Sequence, residues 1–291
     1  MNNEVLELTQ EYRNTIFSVS LTKGRQPIEF SQWGAGEYKI DYDIKNRYGD
    51  NIVLYIPFLT FATLEKALVF TKFCDKQRVK IQQTLVGYLS YGRQERETDN
   101  EPKLNDLLSY EVFRNLVNPS IIEPHDKECT KPHFGEMYWS APYFHKTENY
   151  PFHVIAPDKG AKNRLSTLGI RSSIAISKER TNGEVVSVIE KDKVAWQIAK
   201  EDITPSEVDM GMIIYDDICD GGRTFANVAE LVKKKYPNCP IYLYVAHAIL
   251  PFGVESLKGK IDKIVALDTC FPEGEYFDGF LEVRSSINAF F

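Results

Sequence analysis

Residues that could bind a ligand or take part in a reaction are densest in the segment 212–225. There an apolar run leads into three acids, two glycines, an arginine and a threonine. This order predicts a buried strand, a turn and a helix that extends to Lys235. Glycines let backbone N–H groups approach a phosphate, and a helix N-terminus favours an anion. Asp216 and Asp217 leave the strand at its carboxyl end, where acids accept hydrogen bonds from ribose hydroxyls. The segment predicts a sugar-phosphate site, although such residues taken singly also fit an ordinary turn with Asp220 as helix cap.

Three further charged clusters and one histidine follow predicted strands. Asp158 lies in a glycine turn before a helix, where it could hold Mg²⁺ while the turn's amides hold phosphate. Lys178 and Arg180 follow a strand at 173–177 and could close over a transferring phosphoryl group. Arg93 and His125, each just beyond a strand, could bind an anion or a metal. Taken alone, each cluster also fits a solvated loop, and a lone histidine is more often structural.

The elements that must position these residues follow an alternating pattern. An apolar run at 51–58, helical spacing with a threonine cap at 60–76 and a second run at 81–89 predict a βαβ unit. Other strands are predicted at 15–21, 38–42, 120–123, 173–177, 240–247 and 261–267, and other helices at 105–116 and 253–259. The pattern indicates an α/β protein with mostly parallel sheets.

Length and composition indicate two domains and exclude several classes of partner. The chain has 291 residues, 43% of them hydrophobic, which suggests two cores of ordinary size. The segment 126–150 is rich in proline, histidine and aromatic residues without clean periodicity, so we place the domain boundary at its end, giving 1–148 and 149–291. Lysine and arginine number 35 against 41 acids, with no basic block, so nucleic acid is not an expected partner.

The remaining composition predicts a soluble cytoplasmic protein that does not contact membranes. The N-terminus lacks the basic start and apolar core of a signal peptide, and no apolar run approaches membrane-spanning length. Five cysteines stand far apart without a CxxC pair, which argues against a zinc cluster or a disulfide framework.

From about residue 30 to about residue 267, the chain resembles the ribose-phosphate pyrophosphokinases, or phosphoribosyl-pyrophosphate synthetases. The segment 157–160 is similar to the family's Pro-Asp-x-Gly turn, and the segment 178–180 to its Lys-Arg-Arg catalytic loop. The family's ribose 5-phosphate motif is matched by Asp216, Asp217, Asp220, Gly221, Gly222 and Thr224. The resemblance implies that Lys178 and Arg180 are catalytic.

The N-terminal half carries the resemblance through shorter matches. The segment 91–96 is similar to a family motif, which implies that Arg93 and Gln94 contact ATP. Glu-Pro-His at 123–125 resembles a family motif that implies a place for His125 beside Asp158 at Mg²⁺. The family's adenine-binding segment, which its members lend across a subunit interface, appears here in stretched form and includes Phe30 and Glu37.

The resemblance implies two phosphoribosyltransferase-like domains, each a mostly parallel sheet flanked by helices. The first would bind ATP, and the second would carry the ribose-phosphate motif and the catalytic loop. The implied reaction moves the β,γ-diphosphate of ATP to the anomeric hydroxyl of a ribose 5-phosphate moiety with Mg²⁺, releasing AMP. The implied partners are these small molecules and other copies of the chain in a homo-oligomer.

Two departures from the family pattern bear on the substrate. Arg223 stands where the family has a small residue at the 5-phosphate, and Glu179 replaces the middle cation of the catalytic loop. A guanidinium fork suits a diphosphate, so the acceptor could be ADP-ribose, as in synthetase-like enzymes of NAD⁺ reconstitution systems, rather than ribose 5-phosphate. A phosphoribosyltransferase and a non-catalytic regulatory homologue are the alternatives. Neither needs the ATP site that Arg93, Gln94, His125 and Lys178 together suggest.

Overall fold

The structure is a computed structural model that describes residues 3–94, 97, 102–148, 152–180, 189–191, 194–201 and 211–290. For residues 177–180, 189–191 and 194–201 only the backbone is described. The chain divides into two compact units. The first consists of Leu6–Tyr138 and Thr269–Pro272, and the second of Met1–Val5, Trp139–Asp268 and Glu273–Phe291. Residues 139–148, which the predicted boundary assigns to the first domain, therefore belong to the second unit.

The first unit is built on one mixed sheet. Its elements, after helix α1 (Asn3–Arg13), are β1 (Phe17–Ser20), β2 (Gly24–Pro27), β3 (Ser31–Gln32), β4 (Tyr38–Lys39), α2 (Ile44–Tyr48), β5 (Asn51–Leu59), α3 (Phe61–Gln77), β6 (Lys80–Leu89), α4 (Leu107–Asn115), β7 (Pro119–Ile122), α5 (Lys127–Thr130) and β8 (Glu136–Tyr138). Strands β5, β6, β7 and β8 are parallel, and β1 and β2 extend the sheet in antiparallel fashion.

Local sequence signals explain the βαβ unit at the centre of this sheet. Strand β5 is apolar nearly throughout because both of its faces are covered, as parallel sheets require. Helix α3 begins at a capping box, in which the Thr60 hydroxyl accepts from the Thr63 amide and the Thr63 hydroxyl accepts from the Thr60 amide. It ends at Arg78, whose φ of 58° lies in the left-handed region.

The second unit contains a longer sheet. Its elements are α6 (Ser140–Thr147), β9 (His153–Ala156), α7 (Lys159–Thr167), β10 (Ile174–Arg180), β11 (Ile189–Lys191), β12 (Val194–Glu201), β13 (Met212–Cys219), α8 (Arg223–Lys235), β14 (Ile241–Ala248), β15 (Lys263–Leu267), β16 (Gly274–Tyr276), β17 (Leu281–Arg284) and α9 (Ser286–Phe290). The strand order is β11-β12-β10-β9-β13-β14-β15-β17-β16. Six neighbouring strands are parallel, namely β10, β9, β13, β14, β15 and β17. At the two ends of the sheet, β12, β11 and β16 pair in antiparallel fashion.

This architecture confirms the predicted α/β fold with mostly parallel sheets. Several local predictions were wrong. Residues 253–259 form turns rather than a helix, and the glycines at both ends of the segment, Gly253 and Gly259, have left-handed φ values of 78° and 76°. Residues 178–180 continue strand β10 rather than forming a loop. Helix α1 was not predicted, because its sequence is largely polar. In the described ranges, no helix has the length and apolarity needed to cross a bilayer.

Candidate functional site

The predicted site residues of the second unit gather at one edge of its sheet. Strand β13 pairs in parallel with β9 on one side and with β14 on the other. Because parallel strands end at the same edge, the turn after β9, which holds Asp158, and the end of β13, which holds the acid pair, lie side by side. The helices α7 and α8 both start at this edge.

Asp216 and Asp217 form a buried acid pair bridged by one arginine. Their side chains are only 11% and 4% exposed. The Arg164 Nη2 atom of helix α7 donates to Asp217 Oδ1 at 2.9 Å and also to Asp216 Oδ1. Asp216 Oδ1 additionally accepts from the Asp217 amide at 3.0 Å. Burial and the neighbouring Asp217 carboxylate raise the pKa of Asp216 well above its usual value, and Arg164 opposes this shift.

The sequence prediction gave Arg164 no role. The contact joins residues 52 and 53 positions apart, and no local pattern identifies the partner of a helical arginine. The available signal was indirect: a cation in the first helix after the Asp158 turn, with an acid pair at the end of a later predicted strand.

The glycine pair shapes the turn into helix α8. Gly222 is the N-cap and has a φ of 74°, which only glycine adopts readily. A Cβ at this position would lie 2.9 Å from Cδ1 and Cγ of Leu257. A Cβ at Gly221 would meet no heavy atom within 4 Å. The backbone conformation and the packing therefore both require glycine at position 222. At Gly221 the turn is open to an approaching ligand.

The start of helix α8 offers backbone donors. The N-cap residue is Gly222, which has no side chain with which to cap this terminus. Arg223, the first helical residue, is exposed, and Thr224 and Asp220 are half-buried. The amides of a first helical turn, together with the helix dipole, favour an anion at such a terminus.

Helix α7 starts differently, because Asp158 is its cap. The Asp158 Oδ1 atom accepts a hydrogen bond from the Ala161 amide at 2.9 Å. Its carboxylate therefore has a structural function besides the predicted binding of Mg²⁺. Within the described ranges, no three His, Cys, Asp or Glu side chains converge as a metal site. Such a cluster is not required, since Mg²⁺ typically takes one or two carboxylates and completes its shell with substrate phosphates and water.

The predicted catalytic residues lie on strand β10. Lys178 pairs with Trp196, and Arg180 pairs with Val194, in the antiparallel ladder with β12. A β-ladder satisfies the backbone groups that a free loop would leave to water. Their side chains lie outside the described part of the structure, so the catalytic assignment stays a prediction.

The predicted ATP-side residues belong to the first unit. Arg93 and Gln94 are exposed in the turn after β6, and the Gln94 amide donates to the Tyr91 carbonyl at 2.9 Å. Phe30 is half-buried, packs against the core of its unit and meets the Tyr38 ring at a centroid distance of 5.4 Å. Glu37 is exposed on the β3–β4 hairpin.

His125 also lies in the first unit, half-buried just after β7. Its neighbour Asp126 caps helix α5 by accepting from the Cys129 amide at 3.0 Å, and it accepts from Asn105 Nδ2 at 2.5 Å. His125 and Asp158, the predicted metal pair, thus come from different units.

Comparison with known proteins supports the predicted family. No family model matches the chain. A protein from Lactococcus lactis subsp. lactis described as putative ribose-phosphate pyrophosphokinase 2 is 25% identical over 221 residues, which cover 68% of this chain and 62% of that protein. The match thus spans less than two thirds of the relative's length. The crystal structure of phosphoribosylpyrophosphate synthetase from Mycobacterium smegmatis is similar with a TM-score of 0.61 and 14% identity, covering 99% of this chain and 93% of the other. The resemblance and the fold predicted from the sequence are confirmed.

Proposed function

We propose that this chain, a relative of the ribose-phosphate pyrophosphokinases, transfers the β,γ-diphosphate of ATP to the anomeric hydroxyl of a ribose 5-phosphate moiety. The observation that carries the proposal is the edge of the second sheet. There a buried acid pair, Asp216 and Asp217, precedes the start of helix α8, where Gly222 is the N-cap and Gly221 leaves open space beside the turn. Acids that accept from ribose hydroxyls and amides that bind its phosphate are what such an acceptor requires.

The acceptor would lie across the β13–α8 turn. Asp216, Asp217 and Asp220 would accept from its ring hydroxyls, and the first-turn amides near Gly221 and Thr224 would hold its 5-phosphate. A bound sugar phosphate would thereby be fixed at both ends, which orients its anomeric hydroxyl for attack.

The donor would be ATP with Mg²⁺. His125 and Asp158 are the proposed ligands of this ion, which would neutralise phosphate charge when bound. Arg93 and Gln94 would contact ATP phosphates, while Phe30 and Glu37 would contact the adenine. A homo-oligomer and a cytoplasmic location remain predictions.

The transfer is a displacement at phosphorus. The anomeric oxygen would attack the β-phosphorus of ATP, the bond from that phosphorus to the α,β-bridging oxygen would break, and AMP would leave. The hydroxyl proton would pass to solvent. Lys178 and Arg180 would supply positive charge where negative charge develops on the phosphate oxygens. Positioning and electrostatics would therefore account for the rate.

Arg223 makes the identity of the acceptor an open choice between two ribose phosphates. An exposed guanidinium in the first turn of α8 can reach phosphate oxygens beyond those that the amides hold. We therefore propose ADP-ribose, or another 5′-diphosphate ribose, as the preferred acceptor and ribose 5-phosphate as the competitor. Transfer to ADP-ribose would give a pyrophosphorylated product suited to NAD⁺ resynthesis.

The decisive experiment measures AMP formation from ATP and Mg²⁺ with each acceptor. We expect turnover with at least one acceptor, loss of turnover on chelation of Mg²⁺, and loss of turnover in Asp217→Asn. Equal or faster turnover of ribose 5-phosphate would contradict the larger acceptor while preserving the reaction class.

Two further assays separate the alternative functions. A phosphoribosyltransferase would consume phosphoribosyl pyrophosphate in the presence of a nucleobase and would form no AMP from ATP. A regulatory homologue would stay inactive with every acceptor and would bind a catalytic partner. Either result would overturn the proposal.

A further inference from the structure

Arg164 is the cation that joins the acid pair to a second element of the site. It lies on helix α7, whereas both acids lie on strand β13. A single nitrogen, Nη2, contacts Oδ1 of each acid, and the arginine side chain is only 23% exposed. The contact ties the Asp158-capped helix to the strand that carries the acids.

Two neighbouring carboxylates that are nearly removed from water do not hold one arrangement by themselves. Their charges repel, and burial removes the water that would otherwise screen this repulsion. A shared donor between the two Oδ1 atoms converts the repulsion into a bridged geometry. Because the bridge holds Oδ1 of each carboxylate, it also fixes the orientation of each Oδ2.

We propose that Arg164 is a positioning residue for acceptor binding: it fixes the two carboxylates in the arrangement that receives the ribose hydroxyls. This inference rests on the proposed function. The charged groups that act on Asp216 are Asp217, Arg164 and Asp158, and Arg164 is the one that favours the charged form.

The first test compares Arg164→Gln, Arg164→Lys and the matched control Arg171→Gln, an exposed arginine of the same unit. Binding of ribose 5-phosphate and of ADP-ribose is measured by calorimetry without ATP, and the KM for ATP is measured kinetically. We expect Arg164→Gln to weaken acceptor binding by at least about tenfold, the loss of one charge-assisted contact, while the KM for ATP stays within about twofold. Arg164→Lys should give an intermediate loss, because an ammonium keeps the charge but differs from the guanidinium in shape and reach. Arg171→Gln should match wild type.

The second test detects the bridge without any ligand. Asp216→Asn is introduced into wild type and into Arg164→Gln, and the melting temperature Tm is measured for all four proteins. Without the arginine, two buried acids face each other, so Asp216→Asn should change Tm more favourably in the Arg164→Gln background than in wild type. An identical change in both backgrounds would overturn the bridge.

The outcomes separate the two levels of inference. If wild type binds acceptor and Arg164→Gln binds it equally well, the positioning role is wrong and the proposed function stands. If wild type binds no ribose phosphate and forms no AMP, the proposed function is wrong, and the positioning role is overturned with it.

Discussion

Replacing Gly222 by alanine tests the geometry of the acid–glycine turn most directly. A left-handed φ of 74° costs an alanine about 1–2 kcal/mol. The new Cβ would also lie 2.9 Å from two atoms of Leu257, a fully buried side chain, and relieving such overpacking costs about 1–3 kcal/mol. Together these terms predict that Gly222→Ala lowers the free energy of unfolding by about 2–5 kcal/mol.

The adjacent glycine provides a matched control with the opposite expectation. Gly221 is exposed, and a Cβ there would meet no heavy atom within 4 Å. Gly221→Ala should change stability by less than about 0.5 kcal/mol, as surface substitutions usually do. The methyl group would nevertheless stand where a phosphate must approach the amides. Gly221→Ala should therefore raise the KM of the acceptor about tenfold or more while leaving the fold intact.

Thermal unfolding and acceptor kinetics on both variants separate these effects. For a unit of this size, 1 kcal/mol corresponds to about 2–4 °C, so Gly222→Ala should melt at least about 4 °C below wild type. A melting temperature of Gly222→Ala equal to that of wild type would refute the steric reasoning. Unchanged acceptor kinetics in a stable Gly221→Ala would refute the proposed phosphate position.

Three other substitutions probe separate parts of the chain. Arg223→Ala should raise the KM for ADP-ribose about tenfold more than the KM for ribose 5-phosphate, because the diphosphate has further oxygens beyond those that the amides would hold; equal effects in AMP-release assays would count against that contact. Thr60→Ala removes one half of the capping box and should lower the free energy of unfolding, measured in urea, by about 1 kcal/mol. Burial opposes the ionisation of Glu282, but ion pairs with Lys263 and Arg284 outweigh it and hold the pKa of Glu282 below its ordinary 4.5. The charged form then adds stability at neutral pH that is lost as the pH falls through the folded pKa, so the Tm difference between wild type and Glu282→Gln should shrink below about pH 4.5.

Sequence patterns predicted the central elements because their signals are local. The run at 51–58, the threonine cap and the run at 81–89 correspond to β5, α3 and β6 within a residue or two. The predicted strand, turn and helix of 212–225 correspond to β13 and α8. Hydrophobic runs, caps and glycine turns each fix conformation within a few residues, so no tertiary knowledge was needed.

Elements that depend on distant partners were missed. The polar residues 178–180 read as a loop, yet they are strand because β12 supplies a ladder from 14 or more residues further along the chain. The helix expected at 253–259 is a series of turns in the structure. Both glycines of that segment take left-handed φ values, and a sequence does not state which glycines will do so.

The candidate site illustrates how one residue decides the kind of ion that a helix start attracts. Helices α7 and α8 begin at the same sheet edge, and both dipoles favour an anion there. At α7 the Asp158 carboxylate caps the helix by accepting from the Ala161 amide, and we propose that it also binds Mg²⁺. At α8 the N-cap is Gly222, which has no side chain, and we propose that the amides of the first turn bind a phosphate. The proposed reaction needs a metal next to a bound phosphate, and the different N-caps of α7 and α8 fit that pairing.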